Sequence, residues 1–250
     1  MGSTKTPNQN FYQLLIKPWQ WLLDALFPRV CLGCGKYGSW CCVACFSSLK
    51  FPRQLYCPSC NEISALGEFC EQCRTNKNLA GVWVTQAYGN PLVRKLIHSL
   101  KYDYVKELAI TLGKILSANL TAFNLPPTWH QIPRENWYLT PIPLALNRLK
   151  SRNYNQAELL AQEVQKSCGL KISLALERLY STKPQSKLQI EERLKNVNGV
   201  FGLKKDAVIV GKVFILVDDV YTSGATMEEC AKILKLAGAQ EVWGLVVAKG

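Results

Sequence analysis

The residues with the clearest chemical potential lie at 213–230, where the apolar run VFILV ends on two adjacent aspartates, Asp218 and Asp219. A turn rich in hydroxyl groups follows, and apolar residues then return at helical spacing. This pattern predicts a buried strand, a loop and a helix. Free N–H groups and the helix dipole favour a phosphate at such a helix N-terminus. The predicted phosphate-binding residues are Thr222, Ser223, Gly224, Ala225 and Thr226.

Two neighbouring carboxylates beside a phosphate site need a cation or hydroxyl groups to interact with. Sugar hydroxyls donate hydrogen bonds to carboxylates, and Mg²⁺ binds oxygen ligands. Asp218 and Asp219 therefore indicate a ligand with a phosphate next to a sugar diol, held with Mg²⁺. The alternative, an ordinary N-capped helix after a strand, explains one Ser or Thr but not the acid pair. No lysine follows Gly224, so the loop is not a Walker loop.

Cysteine is the second residue type with an informative pattern, because nine of the eleven cysteines lie between Cys31 and Cys73. Four Cys-x-x-Cys pairs are typical of structural zinc sites, in which one turn supplies two thiolates of a tetrahedron. We predict two sites built from sequence-adjacent pairs; crossed pairs are an alternative, and Cys41 is an alternative to Cys42. A redox dithiol or chance clustering fits four pairs poorly. The predicted zinc ligands are Cys31, Cys34, Cys42, Cys45, Cys57, Cys60, Cys70 and Cys73.

The elements that position these residues alternate between strand and helix patterns along the chain. The alternation predicts an α/β fold with a mainly parallel sheet and flanking helices, in which ligands bind beyond the carboxyl ends of the strands. Strands are predicted at 81–88, at 137–143, within 207–219 and at 240–249, and helices at 91–121, 154–169 and 225–236. The predicted domains are an N-terminal segment with a helix at 1–28, a double zinc ribbon at 29–78 and the α/β domain at 79–250.

Basic residues follow the predicted strand that ends in TPIP. Arg148, Lys150 and Arg152 lie where a second anion site is expected on such a sheet, and Asn155 and Gln156 are placed to orient a ligand. Each basic residue taken alone is as compatible with a solvated surface charge. We predict Arg148, Arg152, Asn155 and Gln156 as ligand contacts.

A polar loop at 181–199 is predicted to close over the substrate as a lid, or else to be a solvated surface loop. Its candidate contact residues are Thr182, Lys183, Gln185 and Arg193. Neither of the two histidines, His98 and His130, is a convincing general base.

Composition limits the class of protein and of partner. Hydrophobic residues make up 48% of the 250 residues, which supports a packed core, and the net charge of +12 favours anionic partners. The sequence shows neither a signal-peptide pattern nor an apolar run of about 20 residues that would span a bilayer. We expect a cytoplasmic protein, with peripheral attachment to the inner membrane as an alternative.

The apolar stretch at 11–27 is predicted to be a docked helix or, alternatively, a membrane-surface or partner-binding helix.

Several separate motifs resemble known families. VFILVDDVYTSGAT resembles the phosphoribosyl pyrophosphate motif of type I phosphoribosyltransferases. PIPLALNRLKSRNYNQAELLA at 141–161, LIHSLKYDYVKELA at 96–109 and STKPQSKLQIEERLKNVNGVF at 181–201 are similar to signatures of the ComF competence-protein family, which also has a double zinc ribbon. The resemblance covers about residues 25 to 250. One departure is Asn153, where the family pattern has glycine; Asn tolerates a left-handed backbone, so the turn is expected to survive.

The resemblance implies a site and two kinds of function. It implies that phosphoribosyl pyrophosphate binds with Mg²⁺, that Asp218 and Asp219 contact the ribose hydroxyls as catalytic residues, and that the hydroxyl-rich loop holds the 5′-phosphate. It also implies a role in DNA uptake during natural transformation. The alternatives are a non-catalytic factor that binds single-stranded DNA and keeps the nucleotide-sugar pocket, and a scaffold that docks a DNA-uptake helicase or membrane channel protein.

Overall fold

The computed structural model describes residues 28–123, 132–180 and 199–250. The predicted N-terminal helix, His130 and the predicted lid up to residue 198 lie outside the described residues. The chain forms two compact units, Met1–Leu49 and Lys50–Gly250, so that the second group of zinc-ligand cysteines belongs to the larger unit. The predicted domain boundaries at residues 28/29 and 78/79 remain a prediction.

The described residues form short elements near the cysteines and longer ones in the α/β domain. The strands are β1 (Leu55–Tyr56), β2 (Ile63–Ser64), β3 (Gly81–Ala87), β4 (Trp137–Pro141), β5 (Lys171–Ile172), β6 (Leu176–Arg178), β7 (Phe201–Leu203), β8 (Val213–Tyr221) and β9 (Glu241–Lys249). The helices are α1 (Val43–Ser47), α2 (Glu71–Arg74), α3 (Pro91–Tyr102), α4 (Leu108–Ala122), α5 (Leu146–Arg152), α6 (Gln156–Cys168) and α7 (Ala225–Leu236), with a 3-10 turn at Arg134–Asn136.

The central sheet has five strands in the order β3-β9-β8-β4-β5, and its neighbouring strands pair in parallel. Strand β8 lies in the middle, and residues 213–217 are fully buried. A central parallel strand is covered on both faces, which explains why VFILV is continuously apolar rather than alternating. Strands β6 and β7 form a separate antiparallel pair. The predicted fold class is confirmed.

Positive φ angles mark several boundaries of the observed elements. The predicted helix at 91–121 is two helices, because the backbone turns at Tyr104 with φ of 59° between α3 and α4. The strand predicted within 207–219 starts at Val213, after a turn in which Gly211 has φ of 69°. Asn153 adopts φ of 61° and ends α5, so the expected left-handed turn is confirmed.

The helices pack closely on one another and on the sheet. A Cβ atom at Gly113 in α4 would lie 2.3 Å from Glu163 Cβ in α6, which explains the glycine inside an otherwise helical pattern. Trp83 and Trp243 stack between β3 and β9 with ring centroids 4.9 Å apart. Within the described ranges, no helix is both long and apolar enough to cross a membrane.

Candidate ligand pocket and zinc sites

A cavity of about 350 Å³ opens at the carboxyl ends of β4 and β8. Helix α3, the residues after β4, strand β6 and the start of α7 all contribute to its wall. Parallel strands bring their carboxyl ends to one edge of the sheet, where the loops that follow them can meet. The cavity therefore lies where the sequence analysis places a ligand.

Asp218 and Asp219, the acid pair, lie at the end of β8 and line this cavity. The backbone N–H of Asp219 donates a hydrogen bond of 2.8 Å to Asp218 Oδ1. Burial, and then the neighbouring charge of Asp219, raise the pKa of Asp218 to about 8. A nearby cation stabilises the ionised form of a buried carboxyl group. The carboxylate oxygens of the acid pair therefore fit a hard divalent ion such as Mg²⁺.

Lys101, in the last turn of α3, is a site residue that sequence reasoning missed. Its Nζ lies 2.7 Å from Asp219 Oδ2; the lysine side chain is 22% exposed and the aspartate side chain 4%. Burial lowers the pKa of Lys101, but the charge of Asp219 outweighs burial, and the net pKa is raised. The ammonium group is therefore charged at neutral pH. The quoted family motif contains Lys101, but nothing local in it distinguishes this lysine from a surface lysine.

Residues 222–226, named here the hydroxyl loop, comprise the turn after β8 and the first two residues of α7, and they line the cavity together with the acid pair. Gly224 is the N-cap of α7, has φ of 76° and offers no side-chain cap. A Cβ atom at this position would lie 2.3 Å from Tyr221 Oη, so glycine is required both by conformation and by space. Ser223 Oγ accepts a hydrogen bond of 3.4 Å from the Ala225 N–H. The loop thus presents backbone and hydroxyl groups at a helix N-terminus, as predicted for a phosphate site.

Three arginines line the cavity together with Lys101. Arg148 and Arg152 come from α5 and Arg178 from β6. Arg152 is only 8% exposed, and its Nη1 donates a hydrogen bond of 2.5 Å to Gln156 Oε1. Burial lowers the pKa of Arg178, and the charge of Arg148 adds to the effect. Arg178 was not predicted, because β6 is too short to be recognised in the sequence.

Two residues of the predicted second anion site, Asn155 and Lys150, lie outside the cavity lining. Asn155 does not line it: its Nδ2 donates to the Ile142 carbonyl at 3.0 Å, and its Oδ1 accepts from the Ala157 N–H at 3.1 Å. Lys150 is exposed and also lies outside the lining. His98 is at the cavity edge, where its ring centroid lies 4.7 Å from that of Tyr102.

The cysteines form two four-thiol clusters from sequence-adjacent pairs, as predicted, and not from crossed pairs. Within each cluster the Sγ atoms all lie within 4.8 Å of one another. The first cysteine cluster is Cys31, Cys34, Cys42 and Cys45, and the second cysteine cluster is Cys57, Cys60, Cys70 and Cys73. Both fit tetrahedral zinc with no open position, which is typical of a structural site.

The two clusters use the same backbone contacts to favour thiolates. The N–H of Cys42 lies 3.3 Å from Cys31 Sγ, and the N–H of Cys70 lies 3.5 Å from Cys57 Sγ. Burial raises the pKa of both accepting thiols, but the backbone hydrogen bonds outweigh burial and bring each to about 6. Cys41 belongs to neither cluster. Burial, and then the nearby thiols, raise its pKa to about 11.

The second cysteine cluster shares a hydrophobic core with the residues that flank the hydroxyl loop. Cys57 and Tyr221 belong to one buried hydrophobic cluster that also contains Met227 of α7. After the last cysteine of the cluster, Asn78 donates from its backbone N–H and, at 2.8 Å, from its Nδ2 to Glu228 Oε1 of α7. The helix that begins at the hydroxyl loop is therefore held by residues of the cysteine-rich segment.

Known proteins share the cysteine-rich segment and most of the length of this chain. The family model for the double zinc ribbon domain matches residues 22–74. Competence protein F of Haemophilus influenzae is 29% identical over 215 residues, which cover 83% of this chain and 90% of that protein. Competence protein ComFC of Bacillus subtilis is 29% identical over 202 residues, 77% of each chain. DNA utilization protein YhgH of Escherichia coli K12 is 28% identical over 221 residues, 87% of this chain and 93% of that protein.

Among solved structures, the phosphoribosylpyrophosphate synthetase of Mycobacterium smegmatis covers 66% of this chain and 64% of its own, with 13% identity and a TM-score of 0.28. A TM-score this low is not evidence about function. The sequence relatives, together with the zinc ribbon, confirm the resemblance to the ComF competence proteins along most of the chain.

Proposed function

We propose that this chain, which resembles the ComF competence proteins along most of its length, binds phosphoribosyl pyrophosphate with Mg²⁺ and acts in the uptake and use of DNA. One observation supports this choice of ligand: the acid pair, a hydroxyl-rich helix N-terminus and a group of cationic side chains line the same cavity. A sugar diol with a phosphate at one end and a diphosphate at the other has the matching order of charges.

Each part of the cavity has a chemical role in this proposal. The hydroxyl loop binds the 5′-phosphate through N–H and O–H donors. The acid pair accepts hydrogen bonds from the ribose hydroxyls, and its oxygens, with those of the diphosphate, are the donors that would hold Mg²⁺. Arg148, Arg152 and Arg178 face the diphosphate end. When bound, the ion would supply positive charge that stabilises the diphosphate as a leaving group.

The reaction that this arrangement supports is displacement of diphosphate from the anomeric carbon of the ribose by an acceptor nucleophile. The C1–O bond to the diphosphate breaks as the bond to the acceptor forms, so positive charge develops on the sugar ring. The carboxylates beside the ribose stabilise that charge, and the arginines stabilise the departing anion.

A second candidate function is binding of single-stranded DNA without turnover. The net charge of +12 favours it, as do the names of the relatives, which are competence and DNA utilization proteins. Binding of this kind rests on phosphate contacts and weakens steeply with salt. A scaffold that docks a helicase or membrane channel protein is a third candidate, for which no contact in the described residues argues specifically.

Calorimetric titration of the zinc-loaded protein with phosphoribosyl pyrophosphate and Mg²⁺ tests the proposal. We expect binding by the wild type and loss of at least about 100-fold in affinity when Asp218→Asn and Asp219→Asn are combined, since two charged contacts are removed. Asp206→Asn, in an exposed turn, is the matched control and should bind as the wild type does. An unchanged affinity in the double variant would refute the site. Binding of single-stranded DNA alone would favour the second candidate.

A further inference from the structure

Lys101 holds a position that no local sequence pattern explains. Its stem belongs to α3, whose buried face consists of Val93, Leu96, Ile97, Ser99 and Leu100. The side chain extends into the cavity, and its ammonium group contacts the more deeply buried member of the acid pair. A helix surface lysine would not normally be buried in this way, because desolvation of the ammonium is unfavourable unless a partner compensates for it.

The cationic residues of the cavity differ in how they are held. Arg152 is fixed by Gln156 and lies over the Tyr102 ring, with its guanidinium carbon 5.7 Å from the ring centroid. Arg178 donates to the Tyr180 carbonyl at 3.1 Å and lies over the Phe201 ring at 5.1 Å. The described contact of Lys101 is instead an ion pair with a carboxylate that the bound ligand also needs. A flexible four-carbon stem lets an ammonium group exchange one anionic partner for another.

We propose that Lys101 is a specificity-determining residue that pairs with Asp219 in the ligand-free protein and moves to the diphosphate when a divalent cation takes its place. The inference rests on the proposed function. In the free protein the ammonium of Lys101 occupies Asp219 and repels a metal ion, so the metal alone binds weakly. A diphosphate provides a new partner for the released ammonium, so metal and diphosphate bind cooperatively. A monophosphate has less charge to offer Lys101, and the site therefore selects diphosphate ligands.

Removing the charge of Lys101 should change metal affinity and diphosphate affinity in opposite directions, which loss of a merely structural lysine would not do. In Lys101→Met the competing charge is absent, so Mn²⁺ alone should bind about threefold to tenfold more tightly, because a like charge near the site is removed. The same variant should bind inorganic pyrophosphate in the presence of Mn²⁺ about tenfold more weakly, since one charge-assisted contact is lost. Inorganic phosphate with Mn²⁺ should change by less than about threefold. A structural defect would weaken all three ligands together.

The experiment is a titration of the zinc-loaded full chain with Mn²⁺, read by the electron paramagnetic resonance signal of the free ion, without anion and then with pyrophosphate or phosphate. Lys150→Met is the matched control, because Lys150 is exposed and lies outside the cavity lining. It should behave as the wild type does.

Tighter Mn²⁺ binding together with weaker pyrophosphate binding supports the proposal. Unchanged or weaker Mn²⁺ binding in Lys101→Met overturns it. If that variant does not fold, Lys101→Gln removes the charge while keeping a polar stem and is judged by the same signs. Failure of the wild type to bind phosphoribosyl pyrophosphate would refute the proposed function, whereas the Mn²⁺ titration judges Lys101 independently.

Discussion

Replacing Asp218 by Asn should change how the stability of the protein depends on pH. Burial and the charge of Asp219 raise the pKa of Asp218 from 3.8 to about 8, so the folded protein keeps a proton that the unfolded chain has already released. The folded state therefore binds more protons than the unfolded state between about pH 4 and 8. Under that condition the free energy of unfolding falls as pH rises. The Asn side chain has no proton to lose, so this contribution is absent from the variant.

The size of the effect follows from the proton count. One extra bound proton gives a slope of at most about 1.4 kcal/mol per pH unit. Asp218 retains some solvent exposure and Lys101 lies nearby, so screening reduces the slope to about half that value. Between pH 5 and 7 the wild type should lose about 1–2 kcal/mol relative to Asp218→Asn. The variant should then be the more stable protein at pH 7, although it loses a ligand contact.

Urea denaturation followed by tryptophan fluorescence at pH 5, 6, 7 and 8, without added divalent cation, measures this difference. Taking the difference between the two proteins cancels titrations that they share, and Asp206→Asn controls for loss of an exposed carboxylate. Parallel pH dependences of the wild type and Asp218→Asn would refute the reasoning. The expected result would identify the acid pair as a site where stability is lowered in favour of cation binding.

Three further predictions concern the zinc sites and the hydroxyl loop. Cys31→Ser and Cys57→Ser should each lower the zinc content from about two ions to about one, because four thiolates hold each ion. Hydrogen exchange of the backbone at 213–230, followed by mass spectrometry, should speed up in Cys57→Ser but not in Cys31→Ser, because Cys57 belongs to the same buried hydrophobic cluster as Tyr221. Equal exchange in both variants would contradict this coupling. Gly224→Ala should lower the free energy of unfolding by about 2–4 kcal/mol, because it combines a left-handed backbone with displacement of buried Tyr221. Urea denaturation tests this, with Gly89→Ala, where a Cβ meets open space, as the control; equal stability of the two variants would show that the contact with Tyr221 is unimportant.

Several features of the fold were predictable because they depend on neighbours in the chain. A run of apolar residues that ends on charges and small residues predicts a buried strand followed by a loop wherever it occurs, and β8 has this form. The left-handed turn at Asn153 was expected because the family pattern has glycine there and asparagine tolerates a positive φ. The break between α3 and α4 was not predicted, since tyrosine at position 104 gives no local sign of a positive φ.

The sequence by itself determined the chemistry of this protein: an acid pair before a hydroxyl loop, and eight cysteines in four Cys-x-x-Cys pairs. Each of these patterns is short and can be recognised from residues that are close together in the chain. Only the tertiary structure decided which cysteine pairs share an ion, that Asn155 holds a turn instead of lining the cavity, and that Lys101 and Arg178 join the site. Burial and pairing of charges depend on which distant segments the sheet brings together, and a contact such as that between Lys101 and Asp219 leaves no local trace in the chain.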